Sequence, residues 1–273
     1  ARHRLPGQFT ARTASRVGFA DGWLTAGSDP THLTGAPQQF VFADAASLVN
    51  LGDLSVTEGA SIALLGGTVI NRGRLSAPGG TVTVAATESG TIRISPEGQL
   101  LSLMGNSPEA DWHLAAAELP AWLTGSDLDH ALNLAQDASG QTLLTGSSLT
   151  LGPAPGTALV AGTLDTNGST TGGSVRVFGQ QIALTDAALQ ANGGSGGGSI
   201  YIGGDQQGSG SFPTAAVTWV NENSLLSANA IQQGNGGRTI VWANEFTHFA
   251  GAAFGRGGQQ GGNGGFVEIS GQE

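Results

Sequence analysis

The chain has 273 residues, of which 46 are glycine and none is lysine or cysteine. Its 39% of hydrophobic residues, and the absence of a collagen-like glycine triplet, favour a folded chain with many tight turns over a disordered linker. A net charge of −10 without a basic stripe excludes the electrostatic footprint of a nucleic-acid-binding protein, and the lack of cysteine excludes disulfides, thiolate zinc sites and cysteine nucleophiles.

The first part of the chain contains short runs in which apolar and polar residues alternate. Residues 9–14 and 16–23, with the pair Asp21-Gly22, predict two strands and a turn. From residue 49 a repeat begins, because residues 49–56 recur 21 positions later as residues 70–77. We interpret residues 1–104 as one solenoid segment on this basis.

Residues 105–148 break the repeat, and we predict that they form an insertion protruding from the solenoid. Proline at Pro108, after Ser107, and again at Pro120 is typical of the first position of a short helix, so this insertion is predicted to be partly helical. Its tryptophans, Trp112 and Trp122, are candidate surface-contact residues.

Residues 149–273 repeat most regularly. Glycine clusters precede each of four apolar runs. Equivalent positions at the start of these runs, Ser174, Ser199, Arg238 and Phe266, are separated by 25, 39 and 28 residues. A period in the mid-twenties is typical of a solenoid. A second insertion, residues 205–216, lengthens one unit, and insertions of this kind form loops on one face.

An asparagine ends the same short segment in three successive units, at Asn167, Asn192 and Asn229. Asparagine suits a corner because its side chain bonds nearby main chain. If successive units lie about 4.8 Å apart, the three side chains can stack as an amide ladder. Three independent turn asparagines are the alternative interpretation.

Such units cannot bury their apolar residues singly, so the sequence predicts an all-β fold, a right-handed parallel β-helix with two insertions. In this interpretation Val175, Ile200, Ile240 and Val267 occupy neighbouring levels of one buried column. A β-propeller needs repeats of about 40 residues, and a leucine-rich repeat needs a leucine ladder that is missing.

Six short stretches form a recognisable series along the chain. They are Gly-Gln-Phe-Thr-Ala-Arg-Thr-Ala from residue 7, Val-Gly-Phe-Ala-Asp-Gly from residue 17, Leu-Gly-Gly-Thr-Val-Ile-Asn from residue 65, Leu-Ser-Ala-Pro-Gly-Gly from residue 75, Gly-Gly-Arg-Thr-Ile-Val-Trp-Ala from residue 236, and Gly-Asn-Gly-Gly-Phe-Val-Glu-Ile-Ser-Gly from residue 262. In this order, they resemble the two-partner-secretion domain of filamentous haemagglutinin-like exoproteins.

The resemblance covers most of the chain, which would correspond to the later part of the secretion domain and the first coils of the stalk. It implies a large secreted or cell-surface protein of Gram-negative bacteria, built as a right-handed β-helix. An outer-membrane barrel transporter would recognise such a protein in the periplasm and export it unfolded. The family's Asn-Pro-Asn-type secretion motifs would precede residue 1, so export by this segment alone stays open.

We therefore expect a non-enzymatic segment of an adhesin-like exoprotein that serves in export and as an extracellular scaffold for attachment. The alternatives are a carbohydrate-active β-helix lyase or hydrolase, a self-assembling surface-layer or filament subunit, and the stalk of a contact-dependent toxin. An enzyme needs clustered carboxylates, whereas the densest acidic group here, around Asp127, Asp129 and His130, is interpreted as solvated insertion surface.

No cofactor, metal ion or catalytic residue is expected. The glycine string at residues 193–198 lacks the aspartates of a calcium-binding roll and the lysine of a phosphate loop. The candidate partners are the transporter, a glycan or another cell surface, and a second copy of the chain. Phe254 aligns with the polar Gln190, so it is predicted to face outward as a contact residue. No apolar run is long enough to span a membrane.

Overall fold

The fold is built almost entirely from short strands separated by glycine-rich corners. The computed structural model describes residues 2–5, 7–35, 37–43, 46–94, 100–104, 133–136, 142–145, 150–151 and 155–271. The predicted helical turns near Ser107 and Pro120 lie outside these residues. Within them, the helical content is one 3₁₀ turn at Gln206–Gly208.

The strands before the first insertion are β1 (Arg2–Leu5), β2 (Phe9–Arg12), β3 (Arg16–Phe19), β4 (Gly22–Thr25), β5 (Gln39–Phe42), β6 (Ser47–Asn50), β7 (Asp53–Val56), β8 (Ser61–Gly66), β9 (Thr68–Asn71), β10 (Arg74–Ser76), β11 (Thr81–Ala86), β12 (Gly90–Ile94) and β13 (Leu100–Met104).

The strands that follow are β14 (Asn133–Gln136), β15 (Thr142–Thr145), β16 (Thr150–Leu151), β17 (Thr157–Val160), β18 (Thr163–Asp165), β19 (Ser174–Phe178), β20 (Gln181–Leu184), β21 (Ala188–Gln190), β22 (Ser199–Ile202), β23 (Val217–Val220), β24 (Leu225–Ser227), β25 (Arg238–Ala243), β26 (Phe246–Phe249), β27 (Ala252–Phe254) and β28 (Phe266–Gly271).

Three parallel sheets form the body of the protein. Sheet I has the order β1-β7-β10-β18-β21-β24-β27, sheet II the order β2-β8-β11-β19-β22-β25-β28, and sheet III the order β6-β9-β17-β20-β23-β26. From β6 to β11, and again from β17 to β28, the chain visits sheets III, I and II in turn, so each circuit adds one strand to every sheet. The predicted all-β class and parallel stacking are confirmed, and the arrangement is consistent with a parallel β-helix.

The segment between β11 and β17, which includes the predicted insertion 105–148, does not interrupt this stack. Strands β9, β10 and β11 pair directly with β17, β18 and β19, although residues 87–156 lie between the two sets. Strand β16, which the sequence analysis placed at the start of the regular coils, pairs antiparallel with β15. The stack therefore resumes at β17, where the chain meets the free edge of β9.

The main core runs through the stack as columns of aliphatic side chains. On sheet II, Val175 of β19 lies opposite Ile200 of β22, and both are fully buried. Ile200 lies opposite Thr239 rather than Ile240, and Thr239 lies opposite Val267. The prediction that Ile240 belongs to this column is wrong, because β25 begins one residue earlier than its apolar run suggests.

The glycine pair before β25 fixes this register. The N–H of Arg238 donates to the carbonyl oxygen of Gly198, and a Cβ on Gly237 would lie 2.0 Å from the same oxygen. Since side chains alternate along a strand, this register points Thr239 into the core and Ile240 to the outer face. Ile240 is buried there too, on the face where the 3₁₀ turn packs against β25.

Burial of the Thr239 hydroxyl in the core costs free energy, and a substitution at this position should reveal that cost. The Oγ1 atom of Thr239 is buried without a hydrogen-bond partner among the described residues. We expect Thr239→Val to raise the free energy of unfolding by about 1 kcal/mol, because the substitution removes an unsatisfied hydroxyl and keeps the side-chain shape. Urea unfolding with an unchanged m-value measures this gain.

Thr218 supplies the matched control for this prediction. It is also fully buried, but its Oγ1 donates to the carbonyl oxygen of Trp242 at 2.8 Å. Thr218→Val should therefore destabilise the protein. Equal effects of the two substitutions would contradict the explanation.

A second core lies on the outer face of sheet II. The antiparallel sheet β13-β12-β5-β3-β4 supplies Val17, Phe40, Phe42 and Ile92 to it. Sheet II contributes the outward residues Ala63, Leu65, Ala85 and Phe178. The two strands and the turn predicted for residues 9–23 correspond to three strands: β2 joins sheet II, whereas β3 and β4 form a hairpin in this outer layer.

Candidate functional site

The three predicted ladder asparagines lie at successive levels of the corner that follows sheet I. The Oδ1 atom of Asn167 accepts hydrogen bonds from the backbone N–H of Asn192 at 2.8 Å and from its Nδ2 at 2.9 Å. The Oδ1 atom of Asn192 accepts from the N–H of Asn229 at 2.8 Å, and that of Asn229 from the N–H of Arg256 at 2.7 Å. Each asparagine side chain thus accepts a hydrogen bond from a backbone N–H of the next level.

The side-chain amide nitrogens of these asparagines donate further hydrogen bonds to side chains of sheet I. The Nδ2 atom of Asn167 donates to Gln190 Oε1 at 2.9 Å, and that of Asn192 to Ser227 Oγ at 3.0 Å. Their arrangement holds neighbouring coils in register. Arg256 takes the equivalent position one level later, and there the side-chain ladder ends.

Two further asparagine pairs were missed by the sequence analysis. Nδ2 of Asn50 donates to Oδ1 of the fully buried Asn71 at 2.7 Å, and the N–H of Asn263 donates to Oδ1 of Asn235 at 2.9 Å. The signal was present, since Asn50 and Asn71 hold equivalent positions in the repeat of residues 49–77. Asparagine side chains therefore link neighbouring levels at more than one corner of the stack.

Phe254 lies at the end of an outward column on sheet I. Successive levels of that column carry Asp165, Gln190, Ser227 and Phe254. The ring is half-buried, and the Arg256 guanidinium carbon lies 4.3 Å from its centroid. One face of the ring is therefore occupied by a cation, which leaves a cation–aromatic pair at this surface. Trp112 and Trp122, the other candidate contact residues, lie outside the described residues.

The acidic side chains of the described residues occupy separate places. Asp165 forms an ion pair with Arg74 and accepts from the N–H of Asn167, whereas Glu268 accepts from Ser270 Oγ at 2.8 Å. In the part of the chain that the structure describes, no group of three histidine, aspartate or glutamate residues could hold a metal ion. The group around Asp127, Asp129 and His130 lies outside that part.

His248 lies on the outer face of sheet III, stacked on Trp219 with 3.8 Å between ring centroids. Of the two phenylalanines of this strand, only Phe249 points to the opposite face. Phe249 packs against the main core, whereas Phe246 joins Trp219 in an outer apolar cluster. The alternation of a strand explains both, since residues two apart share a face.

The second insertion covers part of sheet II. Phe212, from this insertion, packs on Tyr201 and Phe178 with centroid distances of 4.9 and 5.2 Å. Beneath it lies Arg176, whose guanidinium carbon is 5.2 Å from the Phe212 ring. Arg176 is only 8% exposed, and this desolvation lowers the pKa of its guanidinium. This cluster could not be predicted from the sequence, because an outward arginine between two valines is ordinary in a half-exposed strand.

The exposed carboxylate of Asp21 is hydrogen-bonded to the loop after β4. Asp21 accepts hydrogen bonds from Thr34 Oγ1 and the N–H of Thr34, and these bonds lower the pKa of Asp21. The contribution of this contact is complete above the ordinary value of about 3.9 and is lost as the pH falls through the lower folded-state pKa. We expect the amide shift of Thr34, followed by NMR, to titrate with a midpoint below about 3.9.

The variant Thr34→Val removes the hydroxyl donor and keeps the backbone donor. Its Asp21 midpoint should move upward because the largest cause of the depression is gone. The same midpoint in both proteins would show that the hydroxyl does not stabilise the carboxylate.

The three parallel sheets and their outer layer define the chain as an all-β protein built by stacking. No helix among the described residues is both long and apolar enough to cross a membrane. No protein-family model matches the chain, and no curated protein matches it. Among solved structures, the HMW1 secretion domain from Haemophilus influenzae is similar, with 19% sequence identity, a TM-score of 0.45, and coverage of 99% of this chain and 71% of that chain.

Proposed function

We propose that this chain is a non-enzymatic segment of a two-partner-secretion exoprotein of a Gram-negative bacterium. In this proposal an outer-membrane barrel transporter exports the protein, which then acts outside the cell as a scaffold for attachment. The observation that carries the proposal is the position of the residues on which the family resemblance rests. Four of these residues, Asn71, Gly80, Gly237 and Gly265, lie at corners where one level of the stack contacts the next.

The glycines of the resembling motifs show this relation most clearly. Gly80, Gly237 and Gly265 each stand directly before a strand of sheet II. A Cβ at these positions would lie 1.8, 2.0 and 2.0 Å from a carbonyl oxygen of the preceding level. Asn71, from another of the motifs, accepts a hydrogen bond from Asn50 one level earlier. These motif residues therefore make contacts between levels of the stack. This supports the interpretation that the family resemblance reflects a shared architecture and not only a similar composition.

We infer a right-handed parallel β-helix from the same stacking. Each circuit joins parallel strands of one sheet through a crossover, and crossovers between parallel strands are right-handed in about 98% of cases. Such a rod gains stability level by level, because each level contacts only its neighbours. A chain of this kind suits an extended scaffold whose ends lie far apart.

Attachment is assigned to the outer surface of the rod. The Phe254–Arg256 pair offers an aromatic ring and a cation on sheet I, at the end of a column that carries Ser227 and Gln190 at the two preceding levels. Aromatic and amide groups are suited to the apolar faces and hydroxyls of a sugar, so a glycan is the proposed contact. Few charges and no cysteine also suit passage of the unfolded chain through a pore.

The decisive experiment expresses the full-length gene product that contains this segment, with its own signal sequence, in a Gram-negative host. The outer-membrane barrel encoded beside it is present in one culture and absent from the other. We expect the protein at the cell surface or in the medium only with the barrel, as detected by immunoblotting and protease accessibility. Retention in the periplasm with the barrel present, or release without it, would refute the proposal.

A further inference from the structure

Two buried polar atoms on adjacent strands of sheet II have no hydrogen-bond partner in the part of the chain that the structure describes. The Nη1 atom of Arg176 and the Oγ1 atom of Thr83 are inaccessible to solvent and have no hydrogen-bond partner among the described residues. Thr83 and Arg176 are opposite each other on the adjacent strands β11 and β19. Neighbouring strands are about 4.8 Å apart, so one small group can contact both side chains.

The rest of the Arg176 side chain is held in a defined place. Its Nε donates to Ser174 Oγ at 3.1 Å, and its guanidinium carbon lies over the ring of Phe212, 5.2 Å from the ring centroid. No carboxylate of the described residues forms an ion pair with it. An uncompensated charge in such a place is costly, and a cation–aromatic contact offsets only part of that cost.

We propose that Arg176 and Thr83 bind a small monovalent anion, of which chloride is the representative, in the outer layer between β11, β19 and Phe212. A guanidinium N–H and a hydroxyl both donate, so the occupant must accept two hydrogen bonds. The occupant must also be negative to compensate the guanidinium. It must be small, because neither donor atom is open to solvent.

Thermal unfolding at constant ionic strength tests this assignment, with sodium chloride replacing sodium gluconate. Each tenfold increase in chloride above its Kd should raise the Tm by about 3–5 °C, because the anion binds only the folded state. Arg176→Met should abolish this dependence and Thr83→Val should weaken it. Arg256→Met, which removes an exposed arginine, should leave it unchanged.

Bromide gives a direct structural test on the unaltered protein. Crystals soaked in sodium bromide should show an anomalous peak in contact with Arg176 Nη1 and Thr83 Oγ1. A water molecule at that position, or a carboxylate of the chain itself, would overturn the proposal. So would a bromide peak without any halide dependence of the Tm, since that result means binding at crystal concentration only.

If the two donors were merely unsatisfied, the variants would behave differently. Thr83→Val would then stabilise the protein in every salt, as expected for Thr239→Val. Arg176→Met would also stabilise it, because replacing an unpaired buried charge with an apolar residue of similar length removes a desolvation cost. These outcomes separate an anion site from a simple packing defect, and they do not depend on the proposed function.

Discussion

Replacing Gly198 with alanine should lower the free energy of unfolding by more than about 3 kcal/mol. A Cβ at this position would lie 2.0 Å from the carbonyl oxygen of Gly173 and 2.6 Å from the backbone carbon of Gly172. The obstacle is backbone of the neighbouring level, so no side-chain rotation relieves it. Urea unfolding followed by circular dichroism measures the loss.

Gly198 is one member of a column that runs through the stack. The positions Gly80, Gly173, Gly198, Gly237 and Gly265 each approach a carbonyl oxygen of the level before. None of the five has a positive φ, so the requirement is space rather than a left-handed backbone. A methyl group on one member would push two levels apart and weaken the hydrogen bonds of all three sheets at that point.

Gly196 is the matched control within the same corner. A Cβ there would meet only Thr171 Cγ2, at 3.6 Å, which is an ordinary contact. Gly196→Ala should therefore change the free energy of unfolding by less than about 1 kcal/mol. A comparable loss in both variants would mean that flexibility of the corner, and not close approach between levels, explains the glycines.

The repeat could be predicted because its signals are local. Alternation identified the strands, and the recurrence of residues 49–56 at 70–77 identified successive levels. The alternation of apolar and polar residues does not determine the register between levels. In β25 the apolar run starts at Ile240, but the glycine pair Gly236-Gly237 stacks on the pair before β22 and shifts the strand by one residue.

The outer layer could not be predicted for a different reason. Residues such as Leu65 and Phe178 alternate as expected for strands of the stack, so nothing in their pattern shows that a second layer covers them. The cover comes from strands β3, β4, β5, β12 and β13 and from Phe212 of the second insertion, which are distant in sequence. Arg176 was missed for the same reason, since its burial depends on Phe212.

The asparagine ladder gives the other large expected effect. Replacing Asn192 with alanine removes the acceptor for the N–H of Asn229 and the donor to Asn167 and Ser227. We expect the free energy of unfolding to fall by about 2 kcal/mol, because a backbone donor of a half-buried corner loses its partner. Chemical denaturation measures the loss, and amide exchange at Asn229 should accelerate.

Two further substitutions separate the ladder from a simple turn preference. Asn223→Ala removes one exposed hydrogen bond to Asp186, and it should cost no more than about 0.5 kcal/mol. Asn192→Asp keeps the acceptor for Asn229 but places a carboxylate oxygen against Asn167 Oδ1, where the amide nitrogen now lies at 2.9 Å. If stacking of amides holds the levels together, this nearly isosteric change must also destabilise the protein. If each asparagine only favours its own turn, aspartate will replace it without loss, because both residues suit such turns equally.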